Sequence, residues 1–250
     1  MRKNLLIAAL FLSAALAATR LQAESQVVIL TYHTFLGSKT SSLDFSTDEL
    51  AKQMDELSAL GYRFVSLDDF RSGRLQGKAN ILVTIDDGNR SDYPAYTKVF
   101  ARRGIRPVLF AYPGIIGRTK FALTREQLKK LADSGCDIGA HGYYHEYLSA
   151  KAFARNRAKC LIEIERPARA LGSIVGKPIR TFAYPFGESS PEAEELLAKQ
   201  GYEWAFTAID HLSPVDLGAA SLDHYAVPRT IVYHWNFPLI LSGLAKRMKN

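Results

Sequence analysis

The chain has 250 residues, of which 47% are hydrophobic, 23% charged and 11% aromatic. This length and composition are typical of one sizeable globular domain, and they exclude a disordered chain, a collagen-like repeat and a small disulfide-dense scaffold. A formal net charge of +7 favours a polyanionic partner only when the basic residues cluster, and no basic run here is longer than two residues. We therefore expect no nucleic acid partner.

Residues 1–23 have the pattern of a secretory signal peptide. Two basic residues open the chain, an apolar stretch follows over 5–18, and small residues end the segment. Cleavage after Ala23 is preferred and cleavage after Ala17 is an alternative, while an uncleaved anchor helix is the other interpretation. Cleavage after Ala23 removes three basic residues and no acidic one, which leaves 29 basic against 25 acidic residues and a net charge of +4. We expect residues 24–250 to be exported to the periplasm or secreted, without a stable membrane span.

From residue 24 onwards, strand-like and helix-like segments alternate. Apolar, β-branched and aromatic runs predict strands over 27–32, 62–67, 79–85, 107–112, 136–140, 179–184, 202–207 and 227–233. Helical spacing and capping residues, among them capping boxes that begin at Ser46 and Thr124, predict helices over 46–61, 94–103, 124–135, 151–171, 190–201 and 239–248. Pro167 should end or kink the fourth helix. This alternation, without a linker, favours one α/β domain whose parallel sheet forms a closed or nearly closed (β/α) barrel.

The two cysteines can be either paired or free. Export makes a disulfide between Cys136 and Cys160 chemically possible. However, Cys136 opens a predicted strand and Cys160 lies inside a predicted helix. Two buried free thiols are the preferred interpretation.

Polar residues or turns follow four of the predicted strands. These residues are, in chain order, His33, then Asp86 with Asp87 and Gly88, then His141 with His145, and finally Pro185 with Phe186 and Gly187. In a (β/α) barrel the carboxyl ends of the strands share one rim, and active sites lie there. We therefore expect these residues to form a single site.

Asp87, His141 and His145 form a candidate metal site. Two histidines four residues apart can reach one ion, and the aspartate brings the nitrogen and oxygen ligands to three. Three protein ligands and an open position for water are typical of a catalytic zinc site. Zn²⁺ is the expected ion, although Mn²⁺, Co²⁺ and Ni²⁺ use the same kinds of ligand. The adjacent Asp86 should stay free to act as a base, because successive side chains of a strand diverge.

Three segments resemble motifs of the polysaccharide deacetylases with the NodB-homology fold (carbohydrate esterase family four). Thr84-Ile85-Asp86-Asp87-Gly88 is similar to the family's Thr-Phe-Asp-Asp-Gly motif, 141–145 resembles its metal-binding histidine motif, and 182–187 its third motif. The resemblance implies a metal-dependent polysaccharide deacetylase on an α/β fold, an irregular (β/α)7-type barrel. It also implies that Asp86 is the catalytic base and that the three residues of the candidate metal site are the ligands.

The candidate general acid lies near the N-terminus. The family's acid is a histidine in a Leu-x-His motif, usually near the C-terminus, whereas here Leu30-Thr31-Tyr32-His33 has the corresponding residues. This motif order resembles that of exported poly-N-acetylglucosamine deacetylases, and it makes His33 the expected acid. We expect the backbone N–H of Phe186 to bind the oxyanion, and Tyr184 and Tyr144 to contact the substrate.

The chain departs from the family pattern at three points. Ala183 stands where the third motif usually has the arginine that orients the base, and we expect Arg229 to replace it, with Arg180 as the alternative. Gly142 replaces the usual serine or threonine after the first histidine. The family's Asp-x-x-Asp-Trp motif has no counterpart in this chain.

The resemblance implies that the substrate is an acetylated polysaccharide or oligosaccharide. Removal of acetyl groups from an N-acetylated glycan, such as poly-N-acetylglucosamine or a chitin-like polymer, is the expected reaction. An O-acetyl esterase acting on a xylan-like glycan would need the same site. A non-catalytic glycan-binding module is the third possibility, suggested by the absence of an arginine at Ala183.

Overall fold

The computed structural model describes residues 25–38 and 40–249. The signal peptide predicted over residues 1–23 lies outside this range. Among the described residues, no helix combines the length and the apolar character needed to cross a membrane.

Nine strands in the described part of the chain form one mixed sheet. In chain order they are β1 (Gln26–Tyr32), β2 (Arg63–Phe64), β3 (Asn80–Asp87), β4 (Val108–Ala111), β5 (Asp137–Ala140), β6 (Thr181–Ala183), β7 (Trp204–Phe206), β8 (Pro214–Asp216) and β9 (Thr230–Ile231). Seven of them follow the order β7-β6-β5-β4-β3-β1-β8, while β2 pairs with β3 and β9 pairs with β1. All of these strand pairs are parallel except β1 with β8.

Eight α-helices lie in the described residues, mostly between consecutive strands. They are α1 (Thr47–Ala59), α2 (Leu67–Arg71), α3 (Asp92–Ala95), α4 (Arg125–Asp133), α5 (Ala150–Glu165), α6 (Pro167–Val175), α7 (Pro191–Lys199) and α8 (Phe237–Lys249). The capping boxes predicted at Ser46 and Thr124 are both formed. Pro167 separates α5 from α6, as predicted.

The sheet is curled, and a few backbone pairings join its two edges. β9 pairs with β1, with Thr230 opposite Leu30. Single bridges join Phe206 to Val227 and Ile209 to Thr230. The segment 227–231 therefore lies between β7 and β1, and the predicted irregular α/β barrel is confirmed.

Two apolar cores lie on the two faces of the curled sheet. Alternate residues of β1 belong to different cores: Val28 and Leu30 to the larger one, which the helices cover, and Val27 and Ile29 to the smaller one. Burial on both faces explains why β1 and β3 are almost continuously apolar. Because these strands run parallel, the polar residues at their carboxyl ends lie at one rim of the sheet.

The structure differs most from the sequence prediction at four elements. The strand expected over 227–233 is reduced to the two residues of β9. The strand expected over 62–67 is shortened to β2, because Ser66 caps α2 instead. The helix expected over 94–103 begins earlier, at Asp92, and widens into a π-helical turn over Tyr96–Phe100. The sequence analysis does not predict β8, whose three residues pair antiparallel with the distant β1.

Cys136 and Cys160 are free and buried, so the preferred interpretation of two thiols is confirmed. The Cys136 Sγ atom lies 3.4 Å from the Pro107 carbonyl oxygen, and the Cys160 Sγ atom lies 3.8 Å from that of Tyr147. Burial raises the pKa of both thiols. Protonated, buried thiols are poor nucleophiles, and we assign them no chemical role.

Candidate active site

The polar residues predicted to form one site meet at one rim of the sheet. Asp86 and Asp87 end β3, His141 follows β5, and Phe186 lies just after β6. His33 follows β1, which is the direct neighbour of β3 in the sheet. Adjacency of the strands therefore brings together residues that are far apart in the chain.

Asp87, His141 and His145 form a group that could hold a metal ion. The Asp87 Oδ1 atom lies 3.6 Å from His141 Nε2 and 3.3 Å from His145 Nε2. One ligand atom from each of the three residues lies within 4.8 Å of the other two. A carboxylate with two imidazoles is a donor set that suits zinc and several other divalent transition metals. The structure therefore brings the three predicted ligands into a metal-competent arrangement.

The orientation and protonation of the histidines also fit a metal ligand. His141 Nδ1 lies 2.8 Å from the Ala183 carbonyl oxygen, so Nδ1 is the donor and Nε2 keeps its lone pair toward Asp87. Burial lowers the pKa of His141 to about 3, and it also lowers the pKa of His145. Burial raises the pKa of Asp87. Both imidazoles are neutral at neutral pH, which is the state that metal binding requires.

Arg229 places its guanidinium against Asp86. Arg229 Nη1 and Nη2 donate to the two oxygens of Asp86 at 2.7 and 2.8 Å, a bidentate pair. Nη1 also donates to Thr84 Oγ1, and Nε donates to the Thr207 carbonyl oxygen. The guanidinium lies 5.1 Å from the centroid of the Phe110 ring. Both charged side chains are buried, so protein groups surround the ion pair.

The pair controls the ionisation of Asp86. Burial alone would raise the pKa of this carboxyl, but the adjacent Arg229 guanidinium outweighs burial and lowers the pKa to about 2. The pair therefore contributes stability that is complete above the ordinary pKa of 3.8 and is lost as the pH falls toward 2. Arg180, the alternative partner, is half-exposed and lies 3.4 Å from Glu203 instead.

His33 and Asp87 line the same cavity, whose volume is about 310 Å³. The rest of its wall comes from the segment 34–44, which follows β1. The Nδ1 atom of His33 is buried and makes no hydrogen bond with any described residue. His33 therefore borders the space beside the candidate metal site, and its Nδ1 atom is not held by a hydrogen bond to any described residue.

The three aromatic residues predicted at the site fall into two groups. Phe186 and Tyr144 are half-exposed, and the Phe186 ring packs edge-on against His145 with 4.6 Å between ring centroids. Tyr184 is fully buried, and its hydroxyl donates to the Tyr225 carbonyl oxygen at 3.0 Å. The prediction that Tyr184 contacts the substrate is therefore wrong. Its side chain points into the core, beneath the rim.

Backbone strain is concentrated at this site. Three non-glycine residues among those described have a positive φ: Asp87 at 80°, His145 at 66° and Phe186 at 61°. Each such conformation costs about 1–3 kcal/mol and persists only where the surroundings hold it in place. Two of the three are predicted metal ligands, and the third packs against one of them.

Glu163, which the sequence analysis does not single out, holds the loop that contains His145. Its fully buried carboxylate accepts hydrogen bonds from the backbone N–H groups of Tyr143 at 2.8 Å, Tyr144 at 3.0 Å and Glu146 at 3.2 Å. A carboxylate that accepts hydrogen bonds from three N–H groups of one short loop fixes the path of that loop. The orientation of His145 toward Asp87 depends on that path.

Gly142 is explained by the same carboxylate. A Cβ atom at this position would lie 2.4 Å from Glu163 Oε2 and 3.1 Å from Pro185 Cγ, and the φ of Gly142 is +70°. The family's serine or threonine therefore does not fit here. The glycine at that motif position is the one signal in the sequence that another side chain, here that of Glu163, occupies the space of the missing Cβ atom.

We expect Glu163→Gln to weaken Zn²⁺ binding about tenfold to a hundredfold, which is the usual effect of removing a group that supports a metal ligand. The amide keeps the size of the side chain but places an NH₂ group against backbone N–H donors. Isothermal titration calorimetry measures the affinity, and circular dichroism checks folding. Glu165→Gln, at an exposed position of the same helix, is the matched control. Wild-type zinc affinity in folded E163Q would contradict this role.

Comparison with known proteins gives a consistent family assignment. The family model for polysaccharide deacetylases matches residues 74–205. The YxkH protein of Bacillus subtilis is 26% identical over 214 residues, which cover 83% of this chain and 72% of that protein.

Solved structures share the fold. The structure of IcaB from Ammonifex degensii is similar with a TM-score of 0.75 and 31% identity, covering 88% of this chain and 97% of that one. A de-N-acetylase from Aggregatibacter actinomycetemcomitans has a TM-score of 0.73 at 14% identity, covering 88% of this chain and 99% of that one; this likeness shows the fold. The family match spans more than half of the chain and includes the candidate metal site, so this protein belongs to the polysaccharide deacetylase family and is a hydrolase of that class.

Proposed function

We propose that this deacetylase removes N-linked acetyl groups from poly-N-acetylglucosamine or a chitin-like glycan, and that it acts in the periplasm or outside the cell after export. The observation that carries the proposal is that His33 lines the same cavity as Asp87. An amine leaves an amide poorly unless it is protonated, so an N-acetyl substrate needs a positioned acid. A histidine before the Asp-Asp-Gly motif is also the order found in the exported poly-N-acetylglucosamine deacetylases that the sequence resembles.

Asp86 is the proposed base. A divalent ion, with zinc the first candidate, would be held by Asp87, His141 and His145, and it would supply Lewis-acid polarisation and a lowered pKa for water. Asp86 accepts the proton of the attacking water. Arg229 binds both oxygens of Asp86, so the carboxylate stays ionised and cannot rotate away.

His33 and Phe186 are proposed to act on the other two reacting atoms. His33 donates its proton to the nitrogen of the departing amine. The backbone N–H of Phe186 binds the oxygen on which negative charge develops, a role supported by the positive φ of Phe186 and its contact with His145. Tyr144, half-exposed at the rim, contacts the sugar.

The Arg229–Asp86 pair removes the reason for a non-catalytic module, because the base has its guanidinium although Ala183 is not an arginine. An O-acetyl esterase would use the same residues. Only substrates that differ in the bond cleaved can therefore distinguish the two hydrolases.

We expect the purified protein to release acetate from N-acetylglucosamine oligomers about tenfold or more faster than from acetylated xylan, since a positioned acid favours amide cleavage. Removal of the metal by a chelator should abolish release, and Zn²⁺ should restore it. Enzymatic acetate detection, with metal analysis of each sample, measures both effects. Faster release from xylan would favour the esterase, and release that is insensitive to metal removal would exclude the proposed site.

We expect Asp86→Asn and His33→Ala each to lower kcat on the oligomers by about a hundredfold or more, which is the usual contribution of a general base or acid. Neither residue is a proposed ligand, so zinc content should stay at one ion per chain. H33A should lose less activity on an aryl acetate, whose leaving group needs no proton. His211→Ala, at an exposed histidine, is the control. A near-normal rate of H33A on the amide would remove His33 as the acid.

We expect Arg229→Gln to move the acid limb of the kcat/KM profile upward by about one pH unit or more, because burial then raises the pKa of Asp86 without the opposing charge of the guanidinium. Losing one partner of a buried ion pair also costs about 3–5 kcal/mol of stability, so circular dichroism must show that the variant is folded. Arg229→Lys, which retains the charge, should give an intermediate shift. Arg180→Gln should keep the wild-type profile, and a wild-type profile in folded R229Q would refute the proposed coupling.

A further inference from the structure

The ring of His33 is not oriented by a hydrogen bond at Nδ1. This atom is buried and has no hydrogen-bond partner among the described residues. His33 directly follows β1 and begins the loop 33–46, which leads to α1. The direction of the imidazole therefore depends on the path of this loop, and a group that fixes the loop also fixes the proposed acid.

The carboxylate of Asp44 binds the first part of this loop. Its Oδ1 atom accepts hydrogen bonds from the Thr34 hydroxyl at 2.9 Å and from the Leu36 N–H at 2.7 Å. Its Oδ2 atom accepts from the Ser38 N–H at 2.7 Å and from the Ser38 hydroxyl at 2.6 Å. Asp44 is only 2% exposed. Four hydrogen bonds to one buried carboxylate fix the path of the residues that follow His33.

The same donors keep Asp44 ionised. Burial alone would raise the pKa of this carboxyl, but the hydrogen bonds from Ser38, Leu36 and Thr34 outweigh burial and lower the pKa. The stability that they contribute is therefore complete above the ordinary pKa of 3.8 and is lost only as the pH falls through the lowered value. An asparagine side chain has the same shape but one acceptor oxygen instead of two, so it cannot accept all four hydrogen bonds.

Contacts outside the loop hold it against the rest of the rim. The Phe35 N–H donates to the Ser91 hydroxyl at 2.9 Å, and Ser91 lies four residues after Asp87. On the other side, the His234 Nε2 atom lies 2.5 Å from the Asp44 carbonyl oxygen. The loop that begins at His33 is therefore tied both to the segment after β3 and to the segment after β9.

We propose that Asp44 is a positioning residue for His33: by binding the loop, its carboxylate aims the imidazole at the nitrogen that leaves. The inference rests on the proposed function, because it takes His33 as the acid of amide cleavage. Asp44 lines the cavity that His33 and Asp87 share, but both of its carboxylate oxygens accept hydrogen bonds from the loop. It therefore acts through His33 and not on the substrate.

The test measures kcat and KM of Asp44→Asn on the N-acetylglucosamine oligomers. We expect kcat to fall about tenfold to a hundredfold with little change in KM, because a displaced imidazole transfers its proton poorly to a substrate that is still bound. An aryl acetate, whose leaving group needs no proton, should be cleaved at nearly the wild-type rate, and Zn²⁺ affinity should stay unchanged. Asp48→Asn, at an exposed aspartate in the first turn of α1, is the matched control and should keep the wild-type values.

A double variant separates positioning from a general structural role. If Asp44 acts through His33, adding D44N to H33A should change kcat on the oligomers by less than about twofold, because the effects of coupled residues are not additive. Three results would overturn the proposal: a wild-type kcat in D44N, the same fold loss with and without His33, or equal losses on the amide and the aryl acetate. Circular dichroism checks folding. If D44N does not fold, Thr34→Val, which removes one of the four hydrogen bonds, takes its place, with an expected loss of about threefold.

A spectroscopic measurement keeps the inference testable apart from the proposed function. If the wild type releases no acetate from any oligomer, the proposed function fails, and the NMR signal of the His33 Cε1–H group decides the role of Asp44. This signal, identified by its absence in H33A, should be a single narrow line in the wild type and in D48N, and it should be broadened or split in D44N. Identical signals in all three proteins would exclude the positioning role.

Discussion

The buried ion pair between Arg229 and Asp86 is the interaction on which the site depends. Removing two charges from water is costly, and the cost is offset only where the remaining donors and acceptors are also satisfied. Here the guanidinium donates to both Asp86 oxygens, to the Thr84 hydroxyl and to the Thr207 carbonyl. The pair thereby ties the end of β3 to the segment 227–231 and to the residue after β7. It closes the curled sheet on the side where backbone pairing is sparsest, and it holds the proposed base in place.

The candidate metal site differs from the ion pair, because its geometry is maintained at a cost in backbone strain. Asp87, His145 and Phe186 all have positive φ values, whereas the carboxylate of Glu163 compensates by binding the N–H groups of the loop around His145. The absent side chain of Gly142 leaves room for that carboxylate. A loop held in this way places its imidazole before any ion arrives, so binding requires little rearrangement of the protein.

The rim of the site was predictable from sequence because strand ends are local features. An apolar run followed by aspartates or a histidine lies within one short window, and the helix caps at Ser46 and Thr124 are equally local. The burial of Tyr184 is not evident from the sequence, because a strand of three residues does not show whether the side chain that follows it points to the rim or into the core. Glu163 resembles any acidic residue of an amphipathic helix, since the backbone it binds lies 17–20 residues earlier in the chain. The pairing of β8 with β1 is still more distant in sequence.

The order of motifs along the chain is a poorer guide to a complete site than the order of strands in the sheet. The family match covers residues 74–205, whereas His33 lies before it and Arg229 after it. Arg229 contacts Asp86 and His33 lines a cavity with Asp87, because β1 lies between β3 and β9. In a sheet that curls until its first and last strands are neighbours, an acid on either terminal strand arrives at the same rim. The positions of Arg229, in place of an arginine at Ala183, and of His33, near the N-terminus, are thus consistent with one rule: a group can lie on another segment of the chain so long as that segment reaches the same rim of the curled sheet.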